Sequence, residues 1–340
     1  MSARDVERVI TVPTTGIVGN VKRITFSESD LDRSVSFMRA GFQTICAPGD
    51  RLLVMMSSTA PGGIGDMVTK AVKPLGVETA VWGVIRSVEE AWAFLNDYRP
   101  GVLVGIPGQI AALAHYGERF GNPERTGIHG VLLSADDVPL SICRRVERLW
   151  NCETYRHYGR TEMGLTGGLE GEAHDGYRLR AADMLFEVNA PDADGYGEIL
   201  ITTLRREAMP LIRYRTGDIG KLSETMVDGG NAPIRIAKLR GRICNLFSID
   251  GVTMNLSQIA EAVYRLPEAI DFVCRRTGDG GIRLELKTFP GESARVGELR
   301  EALQETLSPR QYAAVRKAIC VTNTVGATFP QGRYVKKRMG

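Results

Sequence analysis

Between residues 51 and 159, short apolar runs alternate with amphipathic stretches, and this alternation constrains the chain more than any other feature of it. Residues 51–57 (RLLVMMS) read as a strand, 65–75 as a helix ending at Gly76, and 77–85 as a second strand. Ser87, with Glu90 three residues on, spells a capping box at the start of the next helix. A strand at 101–106, a helix at 109–120, a strand at 129–133, a helix at 140–150 and a strand at 153–158 complete the series. Repeated strand–helix–strand units of this kind wind right-handed around a parallel sheet.

The pattern changes beyond residue 159. Residues 186–188 and 198–203 flank an Asp194-Gly195 turn and read as an antiparallel hairpin, and 212–240 continue as short strands and turns. A second break falls at Arg240, Gly241 and Arg242. After it come a hairpin around Asp250-Gly251, a helix at 257–266, a hairpin around 278–281, a helix at 294–307 and a strand at 318–321. The expected class is therefore α/β. A large N-terminal domain, residues 1–241, carries the parallel sheet and a β-rich subdomain, and a small α+β C-terminal domain occupies 242–340. The chain's 340 residues accommodate both.

Charge and cysteine usage exclude several classes of function. With 43 basic against 40 acidic residues, the net charge of +3 gives no field that would favour nucleic acid or an anionic membrane. No apolar run reaches membrane-spanning length, and the N-terminus lacks the apolar core of a signal peptide, so the cytoplasm is the expected location. The six cysteines, at 46, 143, 152, 244, 274 and 320, show no Cys-x-x-Cys spacing and read as small buried hydrophobes. A self-complementary homodimer is the base-rate expectation.

Three stretches carry chemistry. The first holds Thr11, Val12, Pro13, Thr14, Thr15 and Gly16, with Gly19 and Lys22 close behind. Hydroxyls, small residues and a lysine after a strand suit a loop wrapped around phosphate oxygens, though Pro13 removes one amide donor. The second, Tyr158, Gly159, Arg160, Thr161, Glu162, Met163 and Gly164, follows the last strand of the alternating series. Ligands of doubly wound folds bind at the carboxyl ends of strands, where an aromatic can stack on a base and a carboxylate can hold magnesium. The third runs from Ala208 to Asp218 and aims an aspartate and arginines from a β-rich segment. An aspartate there can accept hydrogen bonds from a ribose diol. Each stretch alone also admits a plainer account: an ordinary turn, a solvated carboxylate, or an Asx turn paired with Arg213 or Arg215.

In this order and at these intervals, the three stretches resemble the phosphate loop, the Tyr-Gly-x-Thr-Glu motif and the Arg-Thr-Gly-Asp motif of the acyl-adenylate-forming superfamily. The segment at 201–218 (ITTLRREAMPLIRYRTGD) is most similar to the phenylacetate–CoA ligase branch. The resemblance implies that ATP and magnesium convert a small, aromatic carboxylic acid into an acyl-adenylate. CoA, a carrier-protein thiol or an amine would then receive the acyl group. It implies that Thr11, Thr14, Thr15, Gly16 and Lys22 cradle phosphates, and that Ser134, Ala135, Asp136, Tyr158 and Gly159 line the adenine site. Asp218 would hold the ribose, with Arg215 and Arg242 beside it, and Glu162, next to Thr161, would bind magnesium. The small domain becomes a mobile lid carrying a lysine in a Gly-Lys-x-x-Arg pattern. In this chain, strict register puts Arg333 there, and a small shift puts Lys336 or Lys337. Residues 57–63 are a candidate wall for the acyl group.

The chain departs from the family pattern at several points. Val12 and Pro13 stand where the phosphate loop usually carries serine and glycine, and Cys244-Asn245 where the hinge usually carries aspartates. Ala173 and Arg178, with no cysteine at 228–234, leave no structural zinc expected. The family's usual segment upstream of the phosphate loop has no counterpart, so part of the acyl or CoA surface is expected to be open or supplied by a second subunit. These departures motivate an alternative: a non-catalytic binder of an acyl-adenylate or aromatic acid, serving resistance, sequestration or regulation.

Overall fold

In the computed structural model, Leu52, Leu53, Val54 and Met55 are fully buried. A strand buried on both faces needs neighbours at both edges and helices above and below. The structure describes residues 10–13, 23–57, 60–121, 126–223, 226–227, 230–231 and 234–329, with backbone alone at 10–13, 226–227 and 230–231. Strand β1 (Ile10–Pro13) pairs antiparallel with β2 (Arg23–Phe26). Helix α1 (Glu28–Phe42) follows, then the alternating series β3 (Arg51–Met55), α2 (Ile64–Val72), β4 (Glu78–Val81), α3 (Val88–Tyr98), β5 (Val102–Gly105), α4 (Pro107–Phe120), β6 (Gly130–Leu133), α5 (Leu140–Trp150) and β7 (Glu153–Tyr158). Strands β4, β3, β5, β6 and β7 lie side by side and parallel. The period-2 alternation of strand side chains sends Leu52, Val54, Val104 and Leu132 toward α1 and α2. It sends Leu53, Met55, Leu103 and Leu133 toward α3, α4 and α5.

The β-rich segment joins this sheet edge-on rather than forming a separate layer. Strands β8 (Gly168–Glu170), β9 (Tyr177–Leu179), β10 (Met184–Asn189), β11 (Gly197–Thr203) and β12 (Tyr214–Ser223) come next. A short pair, β13 (Met226–Val227) and β14 (Gly230–Asn231), precedes β15 (Arg235–Arg242). Strand β8 pairs antiparallel with β7, and the eleven strands run in the order β10-β11-β12-β15-β9-β8-β7-β6-β5-β3-β4. The sheet thus carries β12 and β15 round toward the carboxyl end of β7.

The C-terminal part contains the hairpin β16 (Leu246–Ile249) and β17 (Val252–Asn255), helix α6 (Leu256–Val263), strands β18 (Asp271–Arg276) and β19 (Ile282–Thr288), helices α7 (Val296–Thr306) and α8 (Pro309–Ala318), and β20 (Ile319–Val325). Its apolar core is continuous with that of α3, α4 and α5. Helix α5 has no side-chain cap of its own, and Glu261 on α6 accepts the Ser141 N–H at 3.1 Å. Glu292 meets His115 at 3.0 Å and Arg119 at 3.2 Å. Helices α1 and α8 fall outside the pattern read from the sequence, although each carries a local start signal: Ser27 with Asp30, and Ser308 with Gln311. At Ser87 the cap is one-sided, its hydroxyl accepting the Glu90 N–H without the reciprocal bond. No helix among the described residues is long and apolar enough to cross a membrane.

Candidate functional site

Tyr158 ends β7, and the chain turns back at once into antiparallel β8. This reversal requires a glycine: a Cβ at Gly159 would lie 1.9 Å from the Leu165 carbonyl oxygen and 2.5 Å from the His157 ring. The turn is a 3-10 segment, Thr161–Met163, closed by Gly164 at φ 70°. From the other side, β12 brings in Asp218. Thr216 donates its hydroxyl to the Ile199 carbonyl at 2.7 Å and accepts the Asp218 N–H at 3.1 Å, which sets the height of the aspartate. Arg242 on β15 is the direct cross-strand partner of Asp218.

Three donors converge on the buried Asp218 carboxylate. The Tyr158 hydroxyl donates at 2.9 Å, Arg160 reaches both oxygens at 3.0 and 3.1 Å, and Arg242 approaches Oδ1 at 3.2 Å. Arg160 also approaches Glu162, its Nε 3.5 Å from Oε2, while Tyr214 donates to Oε1 at 2.8 Å. Tyr158, Glu162 and Asp218 therefore belong to one network with Arg160 at its centre. Burial alone would raise the Glu162 carboxyl, but the Arg160 charge and the Tyr214 hydrogen bond outweigh it and hold the group below its ordinary value. Burial would likewise lower Arg160; Asp218 and Glu162 reverse the sign and keep it cationic. The Tyr158 phenol is pushed well up, first by burial and then by the Asp218 charge.

Beside this network lies a cleft of about 490 Å³ bounded by Ala135, Asp136, Tyr158, Gly159, Asp218 and Arg242, with Tyr177 and Leu239 on its far wall. Ala135 holds φ 76°, a conformation a non-glycine residue adopts only under constraint. A second cavity of about 260 Å³ is walled by Met38, Phe42, Met56, Ile64, Val68, Val104, Leu132 and Leu169. Met56 and Ile64 bracket the 57–63 loop expected to face the acyl group. Among the described residues, Ser134 and His157 are the polar members of this second wall, and His157 borders the first cleft as well.

The structure gathers Ala135, Asp136, Tyr158, Gly159, Asp218 and Arg242 around one cleft, with Glu162 tied to them through Arg160. Other residues of the sequence reading fall elsewhere. Ser134 bonds to His157 and faces the apolar cavity rather than the polar cleft. Arg215 is 71% exposed and paired with Glu198 at 2.6 Å, so it does not join Asp218. The reason is strand parity: Tyr214, Thr216 and Asp218 share the inner side of β12, and Arg215 lies on the other. Arg213 pairs with Glu187. Thr161 is half-buried in the 3-10 turn and borders neither cavity. Thr11 sits in β1 opposite Thr25. Thr14, Thr15, Gly16, Lys22, Arg333, Lys336 and Lys337 lie outside the described residues. Sequence reasoning passed over Arg160, His157 and Tyr177. Arg160 stands inside the quoted motif, a cation between two site residues, which was the available signal. Among the described residues, no group of three or more His, Cys, Asp or Glu side chains could hold a metal.

No family model matches the chain. It is 26% identical over 342 residues to a phenylacetate-coenzyme A ligase of Thermus thermophilus, spanning 93% of this chain and 74% of that protein. It is 27% identical over 223 residues to an indoleacetate–lysine synthetase of Pseudomonas savastanoi, spanning 62% of this chain and 53% of that protein. Its fold superposes on the crystal structure of a 2-hydroxyisobutyryl-CoA ligase in the postadenylation state in complex with R3-HIB-AMP. That match has a TM-score of 0.79 at 17% identity, covering 98% of this chain and 73% of the other.

Proposed function

Since the chain belongs to the acyl-adenylate-forming superfamily, on its phenylacetate–CoA ligase-like branch, we propose that it uses ATP to convert a small aromatic carboxylic acid into an acyl-adenylate and hands the acyl group to CoA or another nucleophile. The observation that carries this reading is the convergence of Tyr158, Arg160 and Arg242 on Asp218 at the edge of the polar cleft. An ionised carboxylate offers about four acceptor positions. The three donors make four contacts, so a ribose diol would take the place of the Arg242 approach at 3.2 Å and of one contact of Arg160, which keeps Glu162 as a partner. Ala135 and Asp136 then border the base, and the apolar cavity beyond His157 receives the body of the acid.

The reaction is attack of a carboxylate oxygen on the α-phosphorus. The bond to the bridging oxygen breaks, and pyrophosphate leaves with that electron pair. Such a step depends on alignment and neutralisation of charge more than on proton transfer. Arg160 and Arg242 supply fixed positive charge at the cleft. Glu162, whose carboxyl is held below its ordinary value, is the residue we assign to a magnesium ion, which would have to compete there with Arg160 at 3.5 Å and Tyr214 at 2.8 Å. A magnesium bridging phosphates needs only one or two protein carboxylates, and when bound it would offset charge on the triphosphate. The tail assignment of Arg333 or Lys336 rests on the family resemblance; residues 327–329 pair back onto 86–88 beyond the carboxyl end of β4, the edge strand of the sheet. Phe329 donates its N–H to the Arg86 carbonyl at 2.8 Å, and Ser87 bridges Thr328.

Incubation with ATP, magnesium and a panel of aryl acids, with pyrophosphate release as the readout, tests the reading. Acid-dependent release is expected. Tight binding of ATP or acid without release would favour the non-catalytic binder instead.

A further inference from the structure

The polar cleft and the apolar cavity meet at the ends of two adjacent parallel strands. Leu133, the last residue of β6, pairs with Arg156 of β7, so Ser134 and His157 are neighbours at the carboxyl edge. Ser134 Oγ and His157 Nδ1 are 2.6 Å apart, and His157 Nε2 is 3.1 Å from Thr166 Oγ1. All three side chains are buried. His157 borders both cavities, and Ser134 borders the apolar one next to Ala135 of the polar one. This chain of three polar groups therefore lies at the wall the two cavities share, and a ligand occupying both would run past it. An acid with its body among Met38, Ile64, Val68 and Leu132 and its carboxylate directed at a nucleotide would place that carboxylate at this shared wall.

We propose that His157 is a positioning residue which, held by Thr166, turns the Ser134 hydroxyl toward the carboxylate of the acid. The inference rests on the proposed acid-adenylating activity. A neutral imidazole has one N–H and one acceptor nitrogen, and a hydroxyl can donate or accept. With the proton on Nε2, the ring donates to Thr166 and Ser134 donates to Nδ1, so the Ser134 hydrogen is spent on the ring. With the proton on Nδ1, Thr166 donates to Nε2 and the ring donates to Ser134 Oγ, which releases the serine hydrogen to a ligand at the shared wall. Both arrangements keep both contacts, so switching between them requires only two hydroxyl rotations and a change of tautomer. A carboxylate there selects the second arrangement, because only that one offers it a donor. Among the described residues the rest of the wall is apolar, so it offers the body of the acid dispersion contacts rather than hydrogen bonds.

The test is steady-state pyrophosphate release by Ser134→Ala, His157→Leu, the double variant and His157→Asn, with thermal melts alongside. A hydrogen bond to a charged group is at stake, so Ser134→Ala and His157→Leu should each lower kcat/KM for the acid about ten- to hundredfold. The KM for ATP should stay within about twofold of wild type. The double variant should be no worse than the poorer single one, since both remove the same interaction. His157→Asn, whose side-chain amide can stand in for Nδ1–H, should recover most of the loss. Wild-type kcat/KM in Ser134→Ala, losses that multiply in the double variant, or no rescue by asparagine would each overturn the assignment and leave the proposed activity standing. Absence of pyrophosphate release by the wild-type protein with every acid would overturn the activity and the assignment together.

Discussion

Asp218→Asn separates the structural from the ligand-binding part of the site. The carboxylate is 4% exposed and faces two guanidiniums and a phenol. An amide keeps one oxygen but puts an NH2 group against a donor. The Tyr158 hydroxyl can rotate to accept, and Arg160 can lean on Glu162, so one arginine loses its partner. Breaking one side of a buried pair costs about 3–5 kcal/mol, and these partial replacements bring the expectation to about 2–4 kcal/mol. An unfolding entropy of about 2.1 cal/mol/K per residue, over 340 residues, makes 1 kcal/mol worth about 1.4 °C, so Tm should fall by about 3–6 °C. ATP at about a hundred times its dissociation constant should add about 2.7 kcal/mol to the wild-type protein, a rise of about 4 °C. The variant should show less than half of that rise, because the one remaining amide oxygen is uncharged and cannot accept from both ribose hydroxyls. Differential scanning fluorimetry with and without ATP reads both quantities. A variant that melts lower yet keeps the 4 °C rise would refute the ribose assignment, and one that loses neither would refute the account of the network.

Arg215→Ala should leave ATP-induced stabilisation unchanged, because the side chain points to solvent; loss of the rise would return Arg215 to the site. Gly159→Ala should destabilise by about 1–3 kcal/mol, since its Cβ would overlap the Leu165 carbonyl, and a melt within 1 °C of wild type would contradict that packing. Asp30→Asn should cost about 2–4 kcal/mol, because this carboxylate accepts the N–H groups of Ser27, Glu207 and Ala208 and a bond from Arg33, clamping the 205–208 loop to α1. Burial alone would raise the Asp30 carboxyl, but the three amides hold it below 3.8. The deficit should therefore be constant above pH 3.8 and shrink as pH falls through the lowered value, which denaturant titrations across that range would reveal. Alanine substitution at Lys336 and at Arg333 should slow adenylation in one case only, as measured by pyrophosphate release, and no effect in either would dismiss the tail.

Residues 51–158 were legible because the central strands β3, β5 and β6 are buried on both faces and amphipathic helices alternate with them, so hydrophobic periodicity gives element type and order. Helix α5 and strand β7 fall where the sequence reading put them, at 140–150 and 153–158. Helix α1 was less legible: its apolar residues segregate to one face far less sharply than those of α5, and its five buried positions include the polar Asp30 and Ser34. The motif residues Tyr158, Glu162 and Asp218 were legible by residue type and order. The pairing of Asp218 with Arg160 and Arg242 was not.

By itself, the sequence determined the alternating parallel core, the antiparallel extension after residue 159 and the position of a chemical motif at a strand's carboxyl end. These features follow from local periodicity and turn chemistry, which act over a few residues. Only the tertiary structure decided which charges meet. Asp218 and Arg242 are cross-strand partners because β12 and β15 pair in one register, while Arg215, three residues from Asp218, is turned outward by strand parity. Likewise Ser134, His157 and Thr166 form one hydrogen-bonded chain because parallel strands β6 and β7 end side by side. Contacts of that kind depend on register and on the layering of distant segments, and no local pattern encodes them.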